Sequence, residues 1–153
     1  MSDLTRLGLR LLTKMKANES FVHVESAAQA AAIIRAELPK AQNEERVFVL
    51  PLDASGKMLA KPILVSVGHE DGTTAIDAGA IFREALKAGA EEIIVAHNHP
   101  SGNLTPSKAD YDATVRLNAG AELVGLELLD HIIIGSADSA NGLGFVSMAE
   151  LMA

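Results

Sequence analysis

The chain contains no cysteine and no tryptophan, and aromatic residues make up only 3% of its 153 positions. Disulfides are therefore impossible, and any metal site must be built from histidine and carboxylate groups. With so few aromatic rings, the core has to consist of alanine, valine, leucine and isoleucine, which suits helices packed on a sheet. The lack of cysteine is compatible with the cytosol, so we expect a cytoplasmic protein.

Basic residues are also scarce, because 13 Lys and Arg stand against 20 Asp and Glu, for a net charge of -7. Nucleic acids and anionic membrane surfaces are bound mainly through Lys and Arg. No apolar stretch approaches the ~20 residues that a membrane-spanning helix needs. We therefore expect neither direct nucleic-acid binding nor a membrane location.

The distribution of apolar residues predicts a helical extension over residues 1–24 and a single α/β domain over residues 25–153. A leucine-rich stripe with helical spacing runs along the extension, and the polar segment Asn18–Ser20 is the candidate linker. We interpret this helix as a packing or dimer contact, which makes a homodimer possible.

Within the domain, the pattern predicts the order β-β-α-β-α-β-β-α, preceded by a helix, and so helices packed on a mixed sheet. Cap and turn signals set the expected boundaries. The expected elements are a helix over Ser26–Leu38, strands over Val47–Leu52 and Met58–Val67, a helix from Asp77 to Ala88, a strand over Ile93–Val95, a loop over His97–Thr105, a helix with Thr105 as N-cap that ends near Asn118, strands over Leu126–Ile134 and Gly144–Val146, and a terminal helix capped by Ser147.

The segment His97-Asn98-His99-Pro100 stands where a predicted strand gives way to a loop. Residues two apart in an extended backbone point to the same side. At a rise of ~3.3 Å per residue, two such imidazoles can converge on one ion. Open α/β sheets also tend to keep their sites beyond the ends of strands.

Ser107 and Asp110 follow in the first turn of the next predicted helix, on one helical face. The short intervening loop can fold that face back over the histidines, so that Asp110 supplies a third ligand. Two nitrogens and one carboxylate, with the fourth position left to water, are typical of catalytic Zn²⁺. Bound Zn²⁺ lowers the pKa of water towards ~7 and so makes a nucleophile available at neutral pH.

A hydrolytic site also needs a base, and Glu45 stands just before the first predicted strand. Glu44 is its neighbour, and periodicity alone cannot choose between the two. Ser107 has no base within its own motif. We interpret it as a hydrogen-bond donor to substrate or to a developing oxyanion, with support of the helix start as the alternative.

The complete spacing, His97-x-His99, seven residues, Ser107, two residues and Asp110, resembles the signature of the JAMM/MPN metalloproteases. The flanking sequences Ala96–Gly102 and Leu129-Asp130-His131 are similar to the bacterial RadC branch. The likeness extends from about Glu45 to Leu151. In that branch a Glu precedes by eight residues the Leu-Asp that closes the first strand, and counting back from Asp53 selects Glu45 over Glu44.

The resemblance implies a three-layer α/β/α sandwich of the cytidine-deaminase type and a Zn²⁺-activated water that attacks a peptide or isopeptide carbonyl. Glu45 is then the general base, Ser107 a second catalytic residue, and His97, His99 and Asp110 the metal ligands. The expected partner is a peptide or protein substrate. RadC proteins usually carry a helix-hairpin-helix segment ahead of this domain, and none is recognisable before Glu45.

Other classes of protein fit less well. A zinc nucleobase deaminase needs Pro-Cys-x-x-Cys, which a chain without cysteine cannot supply. A non-catalytic interaction module and a DNA-repair accessory protein of the RadC family are the remaining alternatives. The pair Asp130-His131 either orients a metal ligand from behind or makes hydrogen bonds inside the sheet, and we prefer the second interpretation.

Overall fold

The computed structural model describes residues 21–69, 76–135 and 143–153. The predicted N-terminal helix and the candidate linker lie outside these residues. The elements follow the predicted order, and their bounds are α1 Ala27–Arg35, β1 Glu44–Leu52, β2 Ile63–His69, α2 Ala78–Lys87, β3 Glu92–Asn98, α3 Lys108–Leu123, β4 Glu127–Ile134, β5 Phe145–Ser147 and α4 Met148–Leu151. The predicted α/β class is thus confirmed.

The five strands form one sheet in the order β2-β1-β3-β4-β5. Strand β1 runs antiparallel to both β2 and β3, β3 is parallel to β4, and β4 is antiparallel to β5. The sheet is therefore mixed, as expected. The parallel pair β3–β4 lies inside the sheet, with helix α3 as its crossover.

Helices cover both faces of the sheet because the central strands are apolar on both sides. One face packs against α1, and its buried cluster includes Phe48, Leu50, Ile94, Ala96 and Ile132. The opposite face packs against α2 and α3, and its cluster includes Val47, Val49, Ile93, Val95 and Leu117. Successive strand residues alternate between these faces, so the residue numbering tells which helix each strand side chain meets.

The predicted N-cap of α3 is wrong by two residues. Ser107, and not Thr105, caps the helix: its hydroxyl accepts a hydrogen bond from the Asp110 amide, while the Asp110 carboxylate accepts one from the Ser107 amide. This reciprocal capping box satisfies two backbone amides that have no partner within the helix. A cap at Thr105, followed by Pro106, would satisfy only one such amide. The helix also continues to Leu123, past the predicted end at Asn118.

Several strand boundaries also differ from the prediction. Strand β1 starts at Glu44 and not at Val47, because Glu44, Glu45 and Arg46 pair with β2, so Glu45 lies within the strand and not before it. Strand β2 starts at Ile63 and not at Met58, because residues 58–62 contribute only one isolated bridge, between Leu52 and Met58. Strand β3 extends through His97 and Asn98, because both residues pair with β4, so the predicted loop over His97–Thr105 is wrong at its first two residues. Among the described residues, no helix is long and apolar enough to cross a membrane.

Candidate metal centre

Strand β3 delivers the two histidines to one side of the sheet. His97 follows Ile93 and Val95 on the face that α2 and α3 cover, and it is fully buried. His99 stands one residue beyond the strand, where its amide donates to the Ile134 carbonyl. The Nε2 atoms of the two imidazoles are 3.1 Å apart. The same-side geometry that an extended His-x-His predicts is therefore present.

Helix α3 brings Asp110 to the histidines. Its Oδ1 lies 3.1 Å from Nε2 of His97, and its Oδ2 lies 3.3 Å from Nε2 of His99. The capping box with Ser107 fixes this carboxylate, since the Ser107 amide donates to Oδ2 at 2.8 Å. The helix start and the third donor are thus one local structure, which explains why Ser107 and Asp110 are spaced by three.

The three side chains form a donor set that fits a metal ion. One ligand atom from each of His97, His99 and Asp110 lies within 4.8 Å of the others. Nδ1 of His99 is 2.6 Å from the Asn103 carbonyl, which can only accept, so the neutral imidazole carries its proton on Nδ1 and presents a bare Nε2 to the cluster. Two nitrogens and a carboxylate therefore converge, and a divalent ion would satisfy all three.

The electrostatics of the cluster favour a bound cation. Burial opposes ionisation of Asp110, but the neighbouring imidazoles of His97 and His99 and the Ser107 amide hold the pKa of its carboxyl far below the ordinary value. Burial acts to lower the pKa of His99, but Asp110 and the Asn103 carbonyl raise it above the ordinary value. The carboxylate therefore stays ionised and draws positive charge to the cluster.

The structure separates the two glutamates that the sequence left ambiguous. Oε1 of Glu45 lies 3.9 Å from Nε2 of His97, and only 16% of the Glu45 side chain is exposed. Glu44 points to the other side of the strand, where its carboxylate pairs with Arg46 at 3.3 Å. Burial raises the pKa of Glu45 above its ordinary value, against the attraction of His97 and His99. Glu45 is thus the glutamate beside the cluster.

Ser107 lies at the start of α3, next to the cluster. Its hydroxyl oxygen accepts from the Asp110 amide at 3.1 Å. The structure therefore shows that Ser107 supports the helix start, which was one of its two interpretations. The other, donation to a substrate or an oxyanion, stays a prediction. The hydroxyl proton has no part in this bond and can be donated elsewhere.

Asp130 and His131, treated as one pair in the sequence, point in different directions. Asp130 accepts from the Ser147 hydroxyl at 2.6 Å and from the Ala149 amide at 3.0 Å, so it ties β4 to β5 and α4. His131 is fully buried, and its Nε2 lies 2.8 Å from Nδ1 of His97. Asp130 therefore makes structural hydrogen bonds, as the preferred interpretation has it. His131 instead contacts the candidate ligand His97 at Nδ1, the ring nitrogen that faces away from the cluster. Burial lowers the pKa of His131 to about 3.

Two residues near the site had no assigned role in the sequence. Thr114 on α3 is buried, and its hydroxyl lies 2.7 Å from Nδ1 of His131. Asn98 lies between the two histidines in sequence but faces the other way, and its side chain binds the backbone of β1 on either side of Glu45. Its position inside His-Asn-His was the available signal for Asn98. Thr114 could be found only from the packing of α3 on β4.

The fold and the cluster define an α/β domain with a site suited to a metal ion. A family model described as the RadC-like JAB domain matches residues 24–152, so the chain belongs to this family, and the resemblance drawn from the motif is confirmed. This chain is 42% identical over 115 residues to a UPF0758 protein of Trichormus variabilis, and the match covers 75% of this chain and 46% of the relative. It is 39% identical over 132 residues to one of Thermosynechococcus vestitus, covering 86% and 51%. The chain thus spans about half the length of these curated relatives.

Proposed function

We propose that this domain is a zinc-dependent hydrolase of the JAMM/MPN type, which uses an activated water to cleave a peptide or isopeptide bond in a peptide or protein substrate. The observation that carries the proposal is the convergence of His97, His99 and Asp110 with the Glu45 carboxylate beside them. Three protein ligands of this kind are the pattern of catalytic zinc, whereas structural zinc sites usually use four. The proposal includes a cytidine-deaminase-like α/β/α sandwich, which the helices on both faces of the sheet support.

Bound Zn²⁺ would supply Lewis-acid chemistry and would lower the pKa of water to about 7. In the proposed reaction, Glu45 accepts a proton from the attacking water and then delivers it to the leaving nitrogen. A carboxylate 3.9 Å from a ligand nitrogen lies close enough to reach a water held beside the same cluster. The small exposed fraction of Glu45 limits competition from bulk solvent for that proton.

Ser107 is the proposed donor to the oxygen that gains negative charge when the carbonyl is attacked. Its oxygen accepts from the Asp110 amide, so the hydroxyl proton is not used in that bond. A preorganised donor of this kind contributes most where the site excludes water. The same residue therefore serves the helix cap and the proposed chemistry.

The proposal is tested by the metal content and by hydrolysis. Elemental mass spectrometry on untagged protein should find near one zinc per chain. A panel of peptide and isopeptide substrates should then show zinc-dependent cleavage. Glu45→Gln should keep the zinc and lose about 10²- to 10⁴-fold in rate, the usual contribution of a general base. Glu44→Gln is the matched control, because it removes the same charge one residue away on the other side of β1, and it should cleave at the wild-type rate.

A wild-type protein that neither contains zinc nor takes it up would overturn the hydrolase proposal. Equal losses in Glu44→Gln and Glu45→Gln would instead show that net charge, and not the position of Glu45, controls the rate. Stoichiometric zinc without cleavage of any substrate in the panel would favour the alternative, a binding module that retains its metal.

A further inference from the structure

A chain of hydrogen bonds connects two of the candidate ligands through the protein interior. Nδ1 of His97 lies 2.8 Å from Nε2 of His131, and Nδ1 of His131 lies 2.7 Å from the Thr114 hydroxyl. That hydroxyl lies 2.8 Å from the carbonyl oxygen of Asp110. The Asp110 carboxylate also faces His97, with its Oδ1 3.1 Å from Nε2 of that imidazole.

The bond between the Thr114 hydroxyl and the Asp110 carbonyl determines which group donates in each of the other hydrogen bonds. A carbonyl oxygen can only accept, so Thr114 donates its single hydroxyl proton to Asp110. The Thr114 oxygen must then accept from Nδ1–H of His131. A neutral His131 that carries its single ring proton on Nδ1 has a bare Nε2, and this Nε2 faces Nδ1 of His97.

A bare Nε2 on His131 requires a proton on the atom that faces it. His97 therefore donates from Nδ1, and its own Nε2 is left with a free lone pair directed at His99 and Asp110. This is the only tautomer of a neutral His97 that can bind a metal through Nε2. If every hydrogen bond from Thr114 to His97 ran in the opposite direction, Nε2 of His97 would carry a proton where the metal ion would bind.

We propose that Thr114 and His131 are positioning residues that hold His97 in its metal-binding tautomer, so that the chain of hydrogen bonds from Thr114 to His97 sets the metal affinity of the site. The proposal rests on the metal site of the proposed function but not on hydrolysis. Neither residue touches the ion or the substrate. Their effect passes through the ring nitrogen of His97, as hydrogen-bonding partners behind metal-bound histidines generally act.

The test compares two near-isosteric changes at one position. Thr114→Val removes the hydroxyl and leaves Nδ1–H of His131 without an acceptor in a buried place, whereas Thr114→Ser keeps the hydroxyl. The zinc dissociation constant, measured by competition with a chromophoric chelator, should rise about 10- to 100-fold in Thr114→Val. Thr114→Ser should stay within a few-fold of the wild type, at roughly the scatter expected for a conservative change.

A second readout reports the tautomers themselves. Nitrogen-15 NMR of the histidine rings distinguishes protonated from bare nitrogens, and the wild type should show His131 and His97 both protonated on Nδ1.

If Thr114→Val does not fold, the pair His131→Gln and His131→Leu replaces it. Gln keeps an acceptor for His97 and a donor for Thr114, so it should retain more zinc affinity than Leu.

The outcomes separate this proposal from the proposed function. A wild type that binds zinc and a Thr114→Val variant with the same affinity would overturn the positioning role and leave the metal site intact. A proton on Nε2 of His131 would overturn it whether or not zinc binds. If the folded wild type shows the predicted Nδ1 tautomers but binds no zinc, the proposed function fails. The chain of hydrogen bonds would then have only a structural role, which also contradicts the proposal.

Discussion

The side chain of Asn98 holds the backbone of β1 on both sides of Glu45. Its Oδ1 accepts from the Arg46 amide at 2.6 Å, and its Nδ2 donates to the Glu44 carbonyl at 3.1 Å. The ladder between β1 and β3 ends at the pair Val47 and His97, so the Asn98 carboxamide takes over where backbone pairing stops. Since Asn98 is flanked by the two candidate histidine ligands, one short segment positions both histidines and the glutamate.

Asn98→Ala should release the backbone around Glu45. The Arg46 amide loses its acceptor and the Glu44 carbonyl its donor, so we expect a loss of about 1–3 kcal/mol in the free energy of unfolding. Hydrogen exchange of the Arg46 amide should accelerate more than that of amides in the centre of the sheet. Asn98→Asp is the informative comparison, because it keeps the acceptor for Arg46 and removes the donor to Glu44. Unchanged Arg46 exchange in Asn98→Ala would show that the carboxamide does not hold this strand.

Zinc should stabilise the folded domain through His97, His99 and Asp110. A ligand that binds only the folded state adds about 2.7 kcal/mol at a concentration of 100 times its dissociation constant. For a chain of this size that corresponds to a rise of about 5–10 °C in Tm. Calorimetry with added zinc and with a chelator measures the difference directly.

The zinc-dependent rise in Tm should vanish in His99→Ala and in Asp110→Ala. Asp112→Ala is the matched control on the same helix, because Asp112 is exposed and pairs with Lys108 at 2.9 Å. If His99→Ala keeps the full rise, zinc stabilises the protein at some other place, and the assigned ligands are wrong.

Local signals in the sequence predicted the parts of the fold that local chemistry determines. Ser26 and Asp77 cap α1 and α2 as expected, each through a side-chain oxygen that accepts from an amide three residues on. The His-x-His spacing predicted the convergence of His97 and His99, since it depends only on the alternation of an extended strand. The position of Glu45 beside these residues agrees with the spacing carried by the family resemblance.

Features that depend on the register between strands could not be read from the sequence. His131 meets His97 because β3 and β4 are parallel with Val95 opposite His131, and no local pattern encodes that register. The N-cap of α3 was misplaced because Thr105-Pro106 and Ser107 are both good start signals. The reciprocal bonds of Asp110 decide between them, and these appear only once the helix is in place.

Acid should weaken the turn after β1 through Asp53. Its Oδ1 accepts from the Ser55 hydroxyl at 2.6 Å and from the Lys57 amide at 3.0 Å, and these bonds hold the pKa of Asp53 below its ordinary value of 3.8. A carboxyl whose pKa is lowered by folding contributes stability above its unfolded pKa and loses it as the pH falls through the folded value. We therefore expect Asp53→Asn to lose less stability than the wild type when metal-free protein is taken from pH 5 to about pH 3.

Urea unfolding at each pH measures this difference. Ser55→Ala removes the largest cause of the lowered pKa and keeps the amide bonds, so its dependence on acid should fall between those of the wild type and Asp53→Asn. Identical acid dependence in all three proteins would mean that the turn bonds do not distinguish the charged from the neutral carboxyl.

Ser107→Ala should separate the capping role of this residue from its proposed catalytic role. Loss of the cap costs about 1 kcal/mol of stability. Loss of a donor to the developing oxyanion costs about 10²- to 10³-fold in rate. Ser26→Ala supplies the matched control, because Ser26 caps α1 through the same kind of bond, at 3.1 Å to the Gln29 amide, on the opposite face of the sheet. Both variants should lose similar stability, and only Ser107→Ala should lose rate while it keeps its zinc. Equal rates in the two variants would assign Ser107 to the helix cap alone, and the oxyanion would then need another donor.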